Sequence, residues 1–224
     1  MGSIANDPGA GDDVSSQRSG LTSDAGRASG LVFVISGPSG VGKDTIKTCL
    51  RDSDFPIGYC VTATTRKARE GEVHGLHYFF VSDAEFARML NRGELIEHAV
   101  VHGKHSYGIP LEGLRAGMRS GRDVLVTPDV QGASTLRALI PNAISIFLAP
   151  TSLEELKPRI ADPSSGRMED LDQRLKTAAA EMRRVGEFDY LVINEDGKLD
   201  QTVEQVKAII TAERARVRPR RVVL

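Results

Sequence analysis

Leu31-Val32-Phe33-Val34-Ile35-Ser36-Gly37-Pro38-Ser39-Gly40-Val41-Gly42-Lys43-Asp44-Thr45 is the stretch that decides the architecture of this 224-residue chain. Its first five residues are apolar without alternation, short and rich in β-branched side chains. That combination predicts a strand buried on both faces. A glycine-rich turn follows, and periodic apolar residues from 45 to 50 predict the start of a helix. Strand, glycine turn and helix open an α/β unit. Gly37, Gly42 and Lys43 also have the spacing of a phosphate-binding loop in the strand-to-helix context that such a loop requires. Glycines let backbone N–H groups converge on a polyphosphate, and the helix N-terminus adds a favourable dipole. Lys43 would neutralise the β- and γ-phosphates. The competing reading, an ordinary glycine-rich turn, gives no role to the lysine. Asp44 stands where the motif has a Ser or Thr that offers a hydroxyl to Mg²⁺. Its carboxylate is a hard ligand that can hold Mg²⁺ directly or through water, or it lowers nucleotide affinity when metal is absent. Thr45 keeps a hydroxyl for the α- or β-phosphate.

Working outward, strands are predicted over residues 59–62, 77–80, 95–101, 123–126, 144–148 and 190–193. Helices are predicted over 84–90, 111–118, 133–139, 153–160, 171–185 and 201–212. The alternation predicts an α/β fold with a mostly parallel sheet flanked by helices. Residues 62–107 carry more strand than helix and read as an inserted antiparallel lobe. Residues 161–167, with Pro163, two serines and Gly166, read as a mobile loop between two helices. Residues 1–30 are rich in Gly, Ser and Asp and poor in large apolar side chains, so a disordered tail is expected. Residues 213–224 form a basic tail containing Arg214, Arg216, Arg218, Arg220 and Arg221. Such a tail can bind nucleic acid or an acidic surface. No aromatic residues are interleaved, so a solvated, frayed end is expected.

Composition narrows the function classes. Hydrophobic residues make up 40% and charged residues 26%, as in a globular domain. The 29 basic and 30 acidic residues leave a net charge of -1, which offers no global case for nucleic-acid binding. No apolar run approaches the ~20 residues of a membrane span, and the N-terminus lacks the apolar core of a signal peptide. Two cysteines, Cys49 and Cys60, make neither a disulfide framework nor a zinc spacing. A cytoplasmic protein with no membrane partner is expected, as a monomer or a homodimer.

A second constellation lies in the inserted lobe. Thr62-Ala63-Thr64-Thr65-Arg66-Lys67-Ala68-Arg69-Glu70-Gly71-Glu72 continues through His74-Gly75 to Tyr78. Arg66 and Arg69 can clamp one phosphate from a loop. Downstream, the carboxylate of Glu97 can accept from two donor nitrogens, as on the edge of guanine. Tyr107 lies on the same lobe.

Together with the phosphate loop, the pattern T-T-R-x-x-R-x-G-E-x-x-G-x-x-Y resembles the guanylate kinase family over residues 31–212. The resemblance implies a fold of the P-loop NTPase type with an inserted GMP-binding lobe (62–107) and a short lid (161–167). It implies ATP and Mg²⁺ as cofactors, GMP as acceptor, and ATP-dependent phosphorylation of GMP, and of dGMP, in purine nucleotide metabolism. Arg66, Arg69 and Tyr78 would bind the GMP phosphate, with Tyr107 completing that site. Glu97 would read the guanine N1–H and 2-amino group, and Thr62 would help hold the base. Asp129 resembles the carboxylate near the acceptor and metal. Arg159 and Arg174 match arginines that close on ATP phosphates, and Asn194 matches the residue near the adenine. The chain departs from the family pattern at Asp44, at Thr127 (often an acidic residue that reads guanine), at Ile109 and at Pro163, where Arg167 is a nearby substitute.

Each assignment has a structural competitor. Tyr78 can be a sheet core residue, Asp129 a helix cap, Arg159 and Arg174 solvated helix charges, and Asn194 a turn residue before Gly197. The histidines between His98 and His105 read as solvated surface rather than metal ligands. For the whole chain two rival functions stand. One is a ribose 1,5-bisphosphate kinase of the same superfamily, whose phosphate loop also carries Gly-Lys-Asp. The other is a guanylate-kinase-like binding module without catalysis, in which the phosphate loop is typically degraded.

Overall fold

The computed structural model describes residues 30–101, 105–161 and 171–224. The expectations for the N-terminal tail, for Pro163 and Arg167, and for all of the lid beyond residue 161 lie outside the described residues. The decisive stretch forms strand β1 (Val32–Ser36), whose residues are all buried, then the loop and helix α1 (Lys43–Asp52). Five parallel strands make the main sheet in the order β2 (Gly58–Tyr59), β7 (Val124–Val126), β1, β8 (Ile144–Ala149), β9 (Tyr190–Ile193).

The unalternating apolar run of β1 serves two cores. Phe33 and Ile35 face one side with Ile46 and Leu50 of α1, Leu156 and Ile160 of α5 (Leu153–Ala161), and Val206 and Ile210 of α7 (Leu199–Arg214). Val32 and Val34 face the other. There they pack with Leu114 and Met118 of α3 (Leu111–Arg119) and with Ala133, Leu136 and Ile140 of α4 (Val130–Leu139). No helix among the described residues is long and apolar enough to cross a membrane.

The inserted lobe differs in detail from its expected form. Its sheet has the order β4 (Phe79–Phe80), β3 (Ala63–Thr64), β6 (His105–Pro110), β5 (Leu95–Val101). β6 pairs antiparallel with both neighbours, whereas β3 and β4 run parallel, so the sheet is mixed rather than antiparallel. β6 reaches Pro110, beyond the expected limit of the lobe, and lies outside the predicted strands. Residues 60–62, predicted as strand, link β2 to β3 instead. The lobe also holds α2 (Asp83–Asn91), capped by the Ser82 side chain accepting from Glu85 N–H. The long predicted helix at 171–185 ends earlier, as α6 (Leu171–Met182), and a 3₁₀ turn at Val185–Glu187 follows.

The basic C-terminus is anchored at Arg214, Arg220 and Val222, while residues 215–219 between them are exposed. α7 runs to Arg214, whose Nε donates to Asp123 Oδ2 at 2.6 Å, while Asp123 Oδ1 accepts from Leu31 N–H at 2.8 Å. Arg220 pairs with Asp189 and with the buried carboxylate of Glu213. Val222 is buried in the second core. Asp123, buried on the domain body, and Asp189 supply partners that charge counting along the tail cannot reveal.

Candidate active site

A cavity of about 430 Å³ opens where the phosphate loop meets the inserted sheet and the N-terminus of α4. Every predicted site residue lines it except Pro38, Val41 and Asn194. Those three build the loop. The Val41 side chain is fully buried, and its N–H donates to Pro38 C=O at 3.2 Å. Asn194 is buried beneath the loop, where its Nδ2 donates to Val41 C=O at 2.7 Å and its Oδ1 accepts from Thr202 Oγ1 at 3.0 Å. A Cβ on Gly42, whose φ is 99°, would lie 2.7 Å from that Nδ2. Asn194 thus holds the loop from below through its amide. Lys43 Nζ donates to the carbonyls of Gly37 (2.6 Å) and Pro38 (3.2 Å).

On the acceptor side, Arg66 is buried with its guanidinium nearly filled. Nη1 and Nη2 bind Glu72 in a fork, each at 2.8 Å, Nη1 also donates to Lys67 C=O, and Nε donates to Tyr107 Oη at 3.2 Å. Of the five donors of a guanidinium, one Nη2 hydrogen is left for a ligand. Glu72 also accepts from the Arg69 backbone N–H at 2.7 Å, so one carboxylate ties the Arg66 guanidinium to the Arg69 backbone. Those bonds hold its pKa below the usual carboxylate range, against the opposing effect of burial. Tyr78 lies with its ring 5.3 Å from the Arg66 guanidinium and 6.0 Å, edge to face, from Tyr107. Its hydroxyl donates to both oxygens of Asp44, at 3.0 and 3.2 Å. Tyr78 is thus a contact between the lobe and α1 rather than a sheet core residue.

Glu97, from β5, is 5% exposed. Its Oε1 sits so close to α4 that a Cβ on Gly132 would lie 2.4 Å away. Burial, and then the negative charge of Asp129, push its pKa up to about 8. Asp129 caps α4, its Oδ1 accepting from Gly132 N–H at 2.7 Å, and also lines the cavity. The cap is formed, and the same residue lines the cavity. Arg159 pairs with Asp196, and Arg174, 4% exposed, donates to Ile160 C=O. Neither is a solvated helix charge, since both face the cavity.

Three residues escaped the sequence reading. Glu72 lies inside the quoted pattern, and its position shortly after the two arginines was a usable signal. Gly132 follows Asp129-Val130-Gln131, but only a three-dimensional contact reveals its closeness to Glu97. Glu181 of α6 lines the cavity and accepts from the backbone of Ser39, and nothing in its helix marks it out. Burial raises its pKa, and Lys43 lowers it in turn. Its Oε2 has no hydrogen-bond partner among the described residues.

A parallel sheet with a lysine-bearing phosphate loop at its centre, facing an inserted lobe that carries an arginine pair, defines a kinase of the phosphate-loop fold. The family model described as guanylate kinase matches residues 29–213. The guanylate kinase of Shouchella clausii is 41% identical over 84% of this chain and 90% of its own length. That of Syntrophomonas wolfei is 40% identical over 84% and 95%. A solved guanylate kinase from Anaplasma phagocytophilum superposes with a TM-score of 0.70 at 32% identity, covering 88% of this chain and 91% of that one. The chain belongs to the guanylate kinase family.

Proposed function

We propose that the chain transfers the γ-phosphoryl group of ATP to GMP, giving ADP and GDP. The observation that carries this reading is a single cavity lined by a phosphate loop with Lys43, by the Arg66–Arg69–Tyr78 cluster and by the buried carboxylate of Glu97. A ribose bisphosphate offers no base for Glu97 to read. A binding module has no use for the intact lysine and glycines of the loop.

In this mechanism the bond between the γ-phosphorus and the ADP oxygen breaks as a GMP phosphate oxygen bonds in line, with no covalent enzyme intermediate. Positioning and charge neutralisation supply the catalysis. Lys43 exchanges the carbonyls of Gly37 and Pro38 for phosphate oxygens. The free Nη2 hydrogen of Arg66, the Arg69 side chain and the Tyr78 hydroxyl hold the acceptor phosphate and offset the repulsion between two anions. Arg159 and Arg174 face the transferring group from α5 and α6. Glu97, ionised, accepts from guanine N1–H and the 2-amino group, with Thr62 beside the base.

Mg²⁺ fits the residues present. Among the described residues no group of three or more His, Cys, Asp or Glu forms a dedicated cage. The hard oxygens of Asp44 and Asp129 face the cavity, the sparse donor set expected of an ion that binds mainly to substrate phosphates. When bound, it supplies Lewis-acid polarisation and charge neutralisation.

The test is product analysis. The chain with ATP, GMP and Mg²⁺ should form ADP and GDP in equal amounts. Binding of both nucleotides without GDP formation would refute the reading.

A further inference from the structure

The family pattern offers a hydroxyl after the loop lysine, and this chain offers a carboxylate that is already in use. Asp44 lies in the first turn of α1, exposed at its base, and its two oxygens share the Tyr78 hydroxyl hydrogen at 3.0 and 3.2 Å. The two residues are 34 positions apart and belong to different parts of the site, one to the phosphate loop and one to the acceptor lobe. Lys47 braces the pair, its Nζ 3.6 Å from Asp44 Oδ1 and 5.2 Å from the Tyr78 ring centroid. A phenol has a single hydrogen to donate. While that hydrogen points at Asp44 it is unavailable to an acceptor phosphate, and the carboxylate adds a negative charge beside the place where the phosphate must come.

We propose that Asp44 is a positioning residue that couples the two substrate sites: without a metal ion beside it, its carboxylate captures the Tyr78 hydroxyl, and a metal ion beside it releases that hydroxyl to the GMP phosphate. The inference rests on the reading of Tyr78 as a ligand of that phosphate. It makes metal–nucleotide binding and GMP binding mutually favourable, because a coupling free energy acts equally in both directions. It also gives the departure at Asp44 a purpose that a hydroxyl could serve only weakly, since a neutral oxygen holds the phenol less tightly than a charged one.

The test is a double-substitution cycle in GMP binding, read by calorimetry on the full chain in excess chelator. Removing the charge in Asp44→Asn, or the carboxylate in Asp44→Ser, should tighten GMP binding by about fivefold, the low end of ordinary coupling. In the Tyr78→Phe background the same substitutions should change GMP affinity less than about twofold, because no hydroxyl remains to be released. Equal tightening in both backgrounds would show simple charge repulsion and overturn the proposal, as would no tightening in either. Failure of the unaltered chain to bind GMP at all would overturn the functional reading and this coupling with it. A variant carrying both Asp44→Asn and Tyr78→Phe that binds GMP as tightly as Asp44→Asn would reject the assignment of Tyr78 alone, and with it the release step.

Discussion

Replacing Glu97 by Gln should abolish the proton release that accompanies GMP binding. Glu97 is 5% exposed, and burial, reinforced by Asp129, holds its pKa at about 8. At pH 7 such a group is about one-tenth ionised. A neutral carboxyl turns an O–H toward one of the guanine donors, so only the ionised form accepts from both. GMP binding at pH 7 should therefore expel about 0.9 proton from Glu97, and affinity should run roughly tenfold below its value with the group fully ionised. Affinity should climb up to tenfold per pH unit from about pH 5 to 8 and then level.

The same shift acts on folding. Between the ordinary carboxylate value of 4.5 and about 8, the folded chain binds more protons at Glu97 than the unfolded chain. Its contribution is therefore fully present below pH 4.5 and is lost as pH rises through about 8. The assay is titration calorimetry of GMP in buffers of differing ionisation enthalpy, at several pH values, with the unaltered chain and Glu97→Gln. The variant shares the ionisations of GMP itself, so the difference isolates the carboxylate. Identical proton release by both would refute the placement of Glu97 on the base.

Three further outcomes follow from the geometry. Gly132→Ala places a methyl group where Glu97 Oε1 now sits, and should raise KM for GMP about tenfold or more, ~1.4 kcal/mol, with KM for ATP little changed in steady-state kinetics. Glu72→Ala leaves a buried guanidinium short of its fork partner, and should cost ~2–4 kcal/mol in urea unfolding and also weaken GMP binding. Arg214→Ala strips the buried Asp123 of its charge partner, and should cost ~2–3 kcal/mol of stability while leaving kcat of the folded enzyme unchanged, because the pair lies away from the cavity.

The parts of this molecule that were legible in its sequence are those where local chemistry dictates geometry. The run 31–35 could only be a strand with both faces covered, and the glycine-lysine spacing after it could only be useful at a helix N-terminus. β5 and β9 matched their expected limits because their apolar segments end at turn residues. What was hidden depends on contacts between distant segments. The parallel pairing of β3 with β4 joins two-residue strands 15 positions apart, too short for either to carry a pattern. The docking of the C-terminus needs Asp123 and Asp189, two acids distant in sequence that no tail composition reveals. That Asn194 holds Val41 C=O and accepts from Thr202 beneath the loop is a contact across 153 positions that local sequence does not show. Glu181 joins the site only because α6 passes over Ser39.

Base discrimination is the most direct test of the account, since it asks whether this cavity phosphorylates GMP because Glu97 reads guanine. The measurement is kcat/KM with saturating Mg·ATP for GMP and for IMP, which keeps N1–H but lacks the 2-amino group, in the unaltered chain and in Glu97→Gln. A hydrogen bond to a buried charged group is worth ~1.5–3 kcal/mol, so the unaltered chain should favour GMP by roughly tenfold to a hundredfold. In Glu97→Gln that preference should shrink to a few-fold, mainly through loss of activity on GMP. Turnover of both acceptors at equal efficiency by the unaltered chain, or a preference for GMP that survives the substitution intact, would contradict it.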